Sequence, residues 1–456
     1  MIPLSRLHRC LQGVTPSQIV TCDGSGVPNS TYLSQVHFVD DKHVALSCQF
    51  FNKTRRNVAE NPFACVTVYD AITMDSYQLD LEFVRSETSG ALFDSMAARI
   101  EAIASHTGMK GVFKLISADV YRVLDARRVD EILPLPERDE EPPASVLDPV
   151  ARPRNELRGV AILSERIARA CDLDALLSTL LEGLYEAYGF EHSMILLPDE
   201  SGQRLFAVAS HGYGQSGVGA EVEIGEGILG TVARERRIVR IADVHGDLRY
   251  GRAIRRAAGD SGHAARPEIP LPGLPDVQSE LALPLVAADR LIGVLAMESR
   301  RPAGFDEWHE AFLGVVASQV AMAIDRMLER GDEPVRDTGT ARPEASELVR
   351  TFTYYRNDDC VFVDGEYLIR NVPGRILWKI LRAHATEQRV DFCNRELRMD
   401  PSLGLPGVKD NLESRLILLR RRLEERCPDV RLARAGRGLF RLELDVRLSL
   451  VEKDSP

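Results

Sequence analysis

The chain lacks paired cysteines. Its eight, Cys10, Cys22, Cys48, Cys65, Cys171, Cys360, Cys393 and Cys427, are scattered, with no C-x-x-C pair and no close cysteine–histidine spacing. This argues against a disulfide framework and against a structural zinc site. The residues read instead as small buried thiols, and no metal site is expected. No uninterrupted apolar run is long enough to span a bilayer. The opening MIPLSRLHRC has neither the apolar core nor the small-residue cleavage site of a secretory leader. A cytoplasmic protein with no membrane partner is therefore expected. An excess of positive charge is missing too. The net charge of −11 argues against nonspecific nucleic-acid binding by the molecule as a whole.

What is present is a chain of 456 residues, 44% hydrophobic and 27% charged, which describes a soluble globular protein of two to four domains. Its charge is uneven. Residues 350–449 hold 20 Lys and Arg against 15 Asp and Glu, a balance of +5 that leaves −16 on the remainder. A modestly basic module on an acidic body fits a regulator whose DNA contact is confined to one end. Two proline-rich, charged stretches, RDEEPPASVLDPVARPR from 138 and GDEPVRDTGTARPEA from 331, read as linkers. With linkers at 138–154 and 331–347, three blocks follow: 1–137, 155–330 and 348–450. The fold class expected is multidomain α+β.

The first block alternates short β-type runs (32–39, 43–51, 64–69, 77–85) with turn signals at Asp23-Gly24-Ser25-Gly26 and Asp40-Asp41, then a helix over 91–105 and a strand at 120–123. That pattern predicts a small antiparallel barrel with a helix. The stretches DGSGVPNSTYLSQVHFVDD and HVALSCQFFNKTRRNVAENP resemble the FMN-binding split barrels of the pyridoxamine-phosphate-oxidase-like class. The resemblance implies that the strand end and turn before the asparagine–proline pair hold a flavin phosphate. Lys53, Arg55 and Arg56 would supply charge and Thr54 a hydroxyl, with Gln49 beside them. Where some members carry a serine two residues before the lysine, this chain has Phe51. FMN, another cofactor and an empty barrel all remain open readings. No catalytic residue is assigned, because no acid–base constellation is evident in 1–137.

The second block opens with helical runs over 155–170 and 173–188. Strands follow at 193–197 and 205–209, then a short helix from Gly225-Glu226-Gly227 through Ala233 and an arginine-rich loop over 246–278. Strands at 281–286 and 291–298 and a helix over 306–330 close the block. GEGILGTVARERRIVRIADV and SELALPLVAADRLIGVLAMES are similar to GAF domains, which implies an α+β sensor domain with a small-molecule pocket. Arg252, Arg255, Arg256, His245 and His263 are placed by the loop to grip an anionic effector, or to stand in solvent. The flanking helices are amphipathic and suit either a dimer contact or their own sheet.

In the third block, KDNLESRLILLRRRLEER (409–426) turns Leu412, Leu416, Leu419 and Leu423 to one side and is followed by two strand-like runs hinged on Ala435-Gly436-Arg437-Gly438. With VFVDGEYLIRNVPGRILWKILRAH and VDFCNREL before it, the block resembles the winged helix of OmpR/PhoB-type regulators. The resemblance implies a recognition helix over 409–426 and a wing over 431–444. Asn411, Ser414, Arg415, Leu418, Arg421 and Arg422 are expected to face outward. Asn and Arg side chains pair with base edges and phosphates, and Arg434 and Arg437 of the wing would add phosphate contacts. Leu418 beside Ile417 is out of place on such a face and suits a thymine methyl or a protein interface. The expected function is a one-component transcriptional regulator, a homodimer on double-stranded DNA, answering a flavin, redox or small-molecule signal. Two alternatives stand beside it: an FMN-dependent oxidoreductase with regulatory domains, and a signalling adaptor that binds no DNA.

Overall fold

A computed structural model describes residues 2–11, 17–49, 52–70, 73, 75–129, 151–170, 172–199, 201–213, 220–259, 268–269, 271–329, 335–336, 348–403 and 412–454. At 52, 151–155, 257–259, 328, 329, 335, 336, 434, 436 and 437 only the backbone is described. The chain forms two compact units. One contains Met1–Glu165, Gly183–Ser193 and Val222–Gln319; the other contains Arg166–Glu182, Met194–Glu221 and Val320–Pro456. The division runs through the 155–330 block.

The N-terminal part of the first unit is β1 (Ser17–Cys22), β2 (Pro28–Leu33), β3 (Val36–Asp40), β4 (His43–Cys48), α1 (Asn52–Glu60), β5 (Phe63–Tyr69), β6 (Ser76–Glu87), α2 (Ala91–His106) and β7 (Ser117–Arg128). The strands form one seven-stranded sheet in the order β2-β1-β5-β6-β7-β4-β3, antiparallel at every pair. Alternation drives it: in β5 the residues Ala64, Val66 and Val68 point inward while their neighbours are more exposed. These residues meet Ile19, Leu33, Leu46, Leu79, Leu81 and Tyr121 in one core. The β1–β2 turn is organised by Asp23, whose Oδ1 accepts from the amides of Ser25 and Val27.

The middle of the chain supplies α3 (Ala151–Arg169), α4 (Leu173–Tyr188), β8 (His192–Pro198), β9 (Arg204–His211), β10 (Glu221–Glu223), α5 (Gly227–Glu235), β11 (Val239–Ile241), α6 (Val244–Gly259), β12 (Ser279–Ala287), β13 (Arg290–Ser299) and α7 (Glu307–Glu329). In the first unit β11, β12 and β13 pair antiparallel, with Val239 opposite Ala282 and Ala282 opposite Ala296. The start of the expected arginine-rich loop is corrected: 244–259 is the helix α6. It lies on α2, where Tyr250 and Ile254 pack against the cluster of Ile100, Ala104, Met109 and Phe113.

The C-terminal part of the second unit runs β14 (Val335–Arg336), β15 (Val349–Tyr355), β16 (Cys360–Val363), β17 (Glu366–Ile369), α8 (Asn371–Glu387), β18 (Asp391–Cys393), α9 (Asn394–Arg398), α10 (Leu412–Arg426), β19 (Val430–Arg437), β20 (Leu439–Leu444) and β21 (Arg447–Lys453). Two four-stranded sheets result, β17-β16-β15-β21 and β14-β19-β20-β18. Asp364 (φ 50) and Gly365 (φ 87) make the two-residue turn between β16 and β17, a left-handed pair that suits a tight hairpin. Between the sheets Phe352, Trp378, Leu381, Phe392, Leu416 and Phe440 share a core with α8 and α10, and Trp378 stacks on Tyr354 at 5.2 Å. Among the described residues no helix is long and apolar enough to cross a membrane.

Candidate functional site

The helix α10 buries the leucine stripe that its spacing demands. Leu412, Leu416, Leu419 and Leu423 are all within 1% of full burial. The opposite face departs from expectation. Ser414, Arg415, Leu418, Arg421 and Arg422 were expected to face outward, yet Ser414 and Arg415 are 0% and 3% exposed and Leu418 is 8% exposed. Ile417 is buried as well, and within 412–426 only Glu424 and Arg426 are exposed. A second surface explains this. Strand β9 packs on α10, and its Phe206 joins the core that contains Leu418. Arg421 donates to Asp174 Oδ1 (3.2 Å) and Ser178 Oγ (3.3 Å) on α4. Arg422 lies 3.5 Å from Glu425 of its own helix. A duplex cannot reach Arg415 in this arrangement. Asn411 lies outside the described residues. Arg434 and Arg437 lie on β19, described there by backbone alone, next to a hairpin turn at Gly438 (φ 66).

The second candidate is the cationic segment of the barrel. It is helical, not a turn: Lys53, Thr54, Arg55 and Arg56 form the first turns of α1. The helical rotation separates their roles. Lys53, Arg55 and Arg56 are exposed, while Thr54 is buried and its Oγ1 accepts from Asn29 Nδ2 at 3.1 Å. No acidic residue stands in the first turn, so cationic side chains and the helix start present one sign of charge. Gln49 is buried, with no hydrogen-bond partner for its Nε2. Beside α1 is a cavity of about 180 Å³, reached by Thr54, Arg55, Leu46, Phe83 and Tyr121. These groups fit a phosphate. The cavity is smaller than the roughly 300–1,000 Å³ that encloses an organic ligand, so it suits the phosphate end of FMN, with the flavin ring lying outside it.

In the GAF-like segment two of the arginines expected to grip an anion are committed elsewhere. Arg252 Nε donates to Glu268 at 3.1 and 3.3 Å, and Arg255 donates to the Thr107 carbonyl at 3.1 Å. Arg256, also on α6, is exposed. His245 Nδ1 lies 2.8 Å from the Val277 carbonyl, and His263 lies outside the described residues. Two features were not read from the sequence. At the start of α5, Ser105 Oγ accepts from the Gly227 amide (2.8 Å) and His106 Nε2 from the Ile228 amide (3.0 Å). His106 Nδ1, carrying the proton, donates to the Ile269 carbonyl at 3.0 Å. Burial holds the His106 pKa below its ordinary value. Gly227 (φ 64) must be glycine here, since a Cβ would lie 2.9 Å from the His106 ring. On β12 and β13, Glu280 and Glu298 stand opposite each other, 2% and 3% exposed. Burial first, and the neighbouring Glu298 second, raise the Glu280 pKa well above the usual carboxylate range.

The described cysteines are free thiols. Burial pushes Cys427 up to about 11, so it is a packing residue; Cys171 lies outside the described residues. Among the described residues no group of three or more His, Cys, Asp and Glu is placed to hold a metal ion.

Comparison with known proteins assigns two of the blocks. Residues 6–126 match the family model of pyridoxamine 5'-phosphate oxidase and residues 172–324 that of the GAF domain. The chain thus carries an N-terminal domain like that oxidase and a GAF domain, within a mixed α+β architecture of largely antiparallel sheets. Both matches end before residue 348. Among solved structures, the GAF domain of an Acinetobacter phosphoenolpyruvate-protein phosphotransferase is 22% identical, with 38% of this chain and 93% of that chain covered and a TM-score of 0.30. The free methionine-R-sulfoxide reductase of Neisseria meningitidis is 21% identical over 38% of this chain and 89% of its own, with a TM-score of 0.30. An FMN-binding protein of Syntrophomonas wolfei is 18% identical over 28% of this chain and 90% of its own, with a TM-score of 0.23. No curated protein matches the chain.

Proposed function

We propose that the protein is a one-component transcriptional regulator. The barrel and the GAF domain receive a flavin, redox or small-molecule signal, and the C-terminal block binds double-stranded DNA as a winged helix. The observation that carries this reading is the order of the block: strands β15–β17, helix α8, strand β18 with α9, the arginine-rich α10, then at once the β19–β20 hairpin. A helix so placed enters a major groove while the hairpin lies along the backbone. Arg415, Arg421 and Arg422 supply base and phosphate contacts, joined by Asn411, Ser414, Arg434 and Arg437.

DNA binding belongs to a second arrangement, in which β9 and α4 have parted from α10. A signal acts by shifting the balance between the covered and uncovered arrangements, and only as far as it binds them unequally. A homodimer suits this mechanism, since two modules read twice the sequence. Trp308, Val315 and Met322 of α7 support it: they are 50%, 51% and 59% exposed and recur every seven residues, the spacing of a helix-pairing seam. For the barrel, the cationic start of α1 supports retention of FMN through its phosphate, and a bound flavin would supply a redox-active ring.

Selection from a random duplex library with the full-length protein tests the reading. Enrichment of a defined site is expected, together with weaker binding and a shallower salt dependence in Arg422→Ala. No enrichment, with or without FMN, favours the adaptor reading. An absorbance spectrum of the purified protein tests the flavin: a protein that stays colourless after incubation with FMN removes it from the proposal.

A further inference from the structure

The second unit holds a cavity of about 620 Å³ walled by β9, by the β17–α8 corner and by α10. That volume falls within the roughly 300–1,000 Å³ range of small-molecule sites. We propose that it is a binding site for a small organic dianion with a flat apolar body, such as an aromatic phosphate monoester or an aromatic dicarboxylate.

Charge carries the argument first. Arg204, Arg370, Arg375, Arg415 and Arg422 line the cavity against three carboxylates, Asp199, Glu221 and Asp359, and Glu425 beside Arg422 leaves an excess of one positive charge. The carboxylates are already engaged. Asp199 accepts from the amides of Gln203 and Arg204 in its own turn. Glu221 takes Arg370 at 3.1 Å and Arg204 at 3.5 Å. Asp359 takes Arg375 at 3.4 Å and the Tyr354 hydroxyl at 2.5 Å. The Nε of Arg375 is buried with no acceptor, a state that a second anion would relieve. Helix α8 begins on the same wall. Asn371 (φ 60) is its first residue, no side chain caps it and no acid stands in its first turn. Its first amides therefore add to the positive field.

Shape carries the rest. Leu205, Phe206, Ile369, Pro373, Leu418 and the Tyr367 ring give the cavity an apolar lining between the guanidinium groups. A bare inorganic anion would leave that lining uncovered, and a neutral apolar molecule would leave the charge unmatched. Because Arg415, Leu418 and Arg422 belong to α10 and Leu205 and Phe206 to β9, a bound dianion bridges the two and fastens the covered arrangement. This last consequence rests on the DNA-binding reading; the binding site itself does not.

Calorimetry on the full-length protein with phenyl phosphate, inorganic phosphate and phenol tests the site. Phenyl phosphate is expected to bind at least about tenfold more tightly than either half-molecule. Arg375→Gln and, independently, Tyr367→Glu on the exposed rim are expected to weaken it by about tenfold or more, with an unchanged melting profile in the second variant. No phenyl phosphate binding up to about 1 mM, or binding that both variants leave unchanged, overturns the site. Inorganic phosphate binding as tightly overturns the organic class of ligand. If phenyl phosphate binds and DNA affinity falls, the bridge holds. If it binds and DNA affinity does not change, the bridge fails and the site stands. If no DNA is bound under any condition, the DNA reading fails, and calorimetry still decides the cavity.

Discussion

The first turns of α1 and the middle of α10 are both dense in arginine, yet one stands in solvent and the other is buried. Lys53, Arg55 and Arg56 are exposed beside a small cavity; Arg415 is 3% exposed behind β9. In α1 Lys53 and Arg55 face solvent, and a phosphate would meet little reorganisation there. In α10 they are held in protein contacts that have to be released first. The same residue type thus marks an open anion site in one place and a closed one in the other. What separates them is the second surface laid over α10, where the apolar Leu418 shares a core with Phe206 of β9.

That contrast can be broken at either end. The largest effect is expected at the open site. Replacing Lys53, Arg55 and Arg56 together with glutamine should weaken FMN binding on the order of a hundredfold, since each loses a charge-assisted contact, and should leave DNA affinity unchanged. Flavin fluorescence titration and a DNA anisotropy assay read the two. Next is the cover. Phe206→Ala removes an aromatic side chain packed against the core that contains Leu418 and should raise DNA affinity about tenfold by favouring the uncovered arrangement. Asp174→Ala removes only a partner of Arg421; with Asp174 39% and Arg421 19% exposed, solvent screening limits the gain to about two- to fivefold.

Stability gives two smaller tests. Glu280 is raised above 4.5 in the fold. Its contribution is therefore full below about that pH and is lost as pH rises through the folded value. Glu280→Gln, always neutral, should raise Tm by a few degrees at pH 8 and by less at pH 5. His106 runs the other way. Its pKa is held below 6.5, so its contribution is full above that pH and is lost as pH falls toward the folded value. Melting temperature should fall as pH drops below 6.5, a loss that His106→Asn largely flattens.

Much of the architecture was legible because its periodicities are strong. The alternation in β5 and β6, the apolar runs of β12 and β13 and the four leucines of α10 each place their residues where the structure has them. Helix α1 was not legible, because NKTRRNVAE offers only Val58 as a large apolar residue, too little for a helical stripe. Helix α6 was hidden by Gly246, Gly251 and its arginines; it is specified by packing on α2 through Tyr250 and Ile254, which no local pattern reveals. The covering of α10 is likewise a long-range fact. Its one trace in the sequence is the pair Ile417-Leu418, apolar where a DNA-reading face is polar. His106 left no trace, since a lone histidine looks the same whether it caps a helix or stands in water.

The parallel pairing of β21 with β15 has a bearing on synthesis. Residues 447–453 run alongside 349–355 in register, Val349 beside Arg447 and Tyr355 beside Lys453. Two strands about a hundred residues apart in sequence thus share one ladder. While the chain is still being made, β15 has β16 for one neighbour and an open edge on the other side until the segment through Lys453 has left the ribosome. That edge is the kind of surface to which other chains add. The block is therefore expected to complete its folding late, after translation has passed β21, and to need shielding until then.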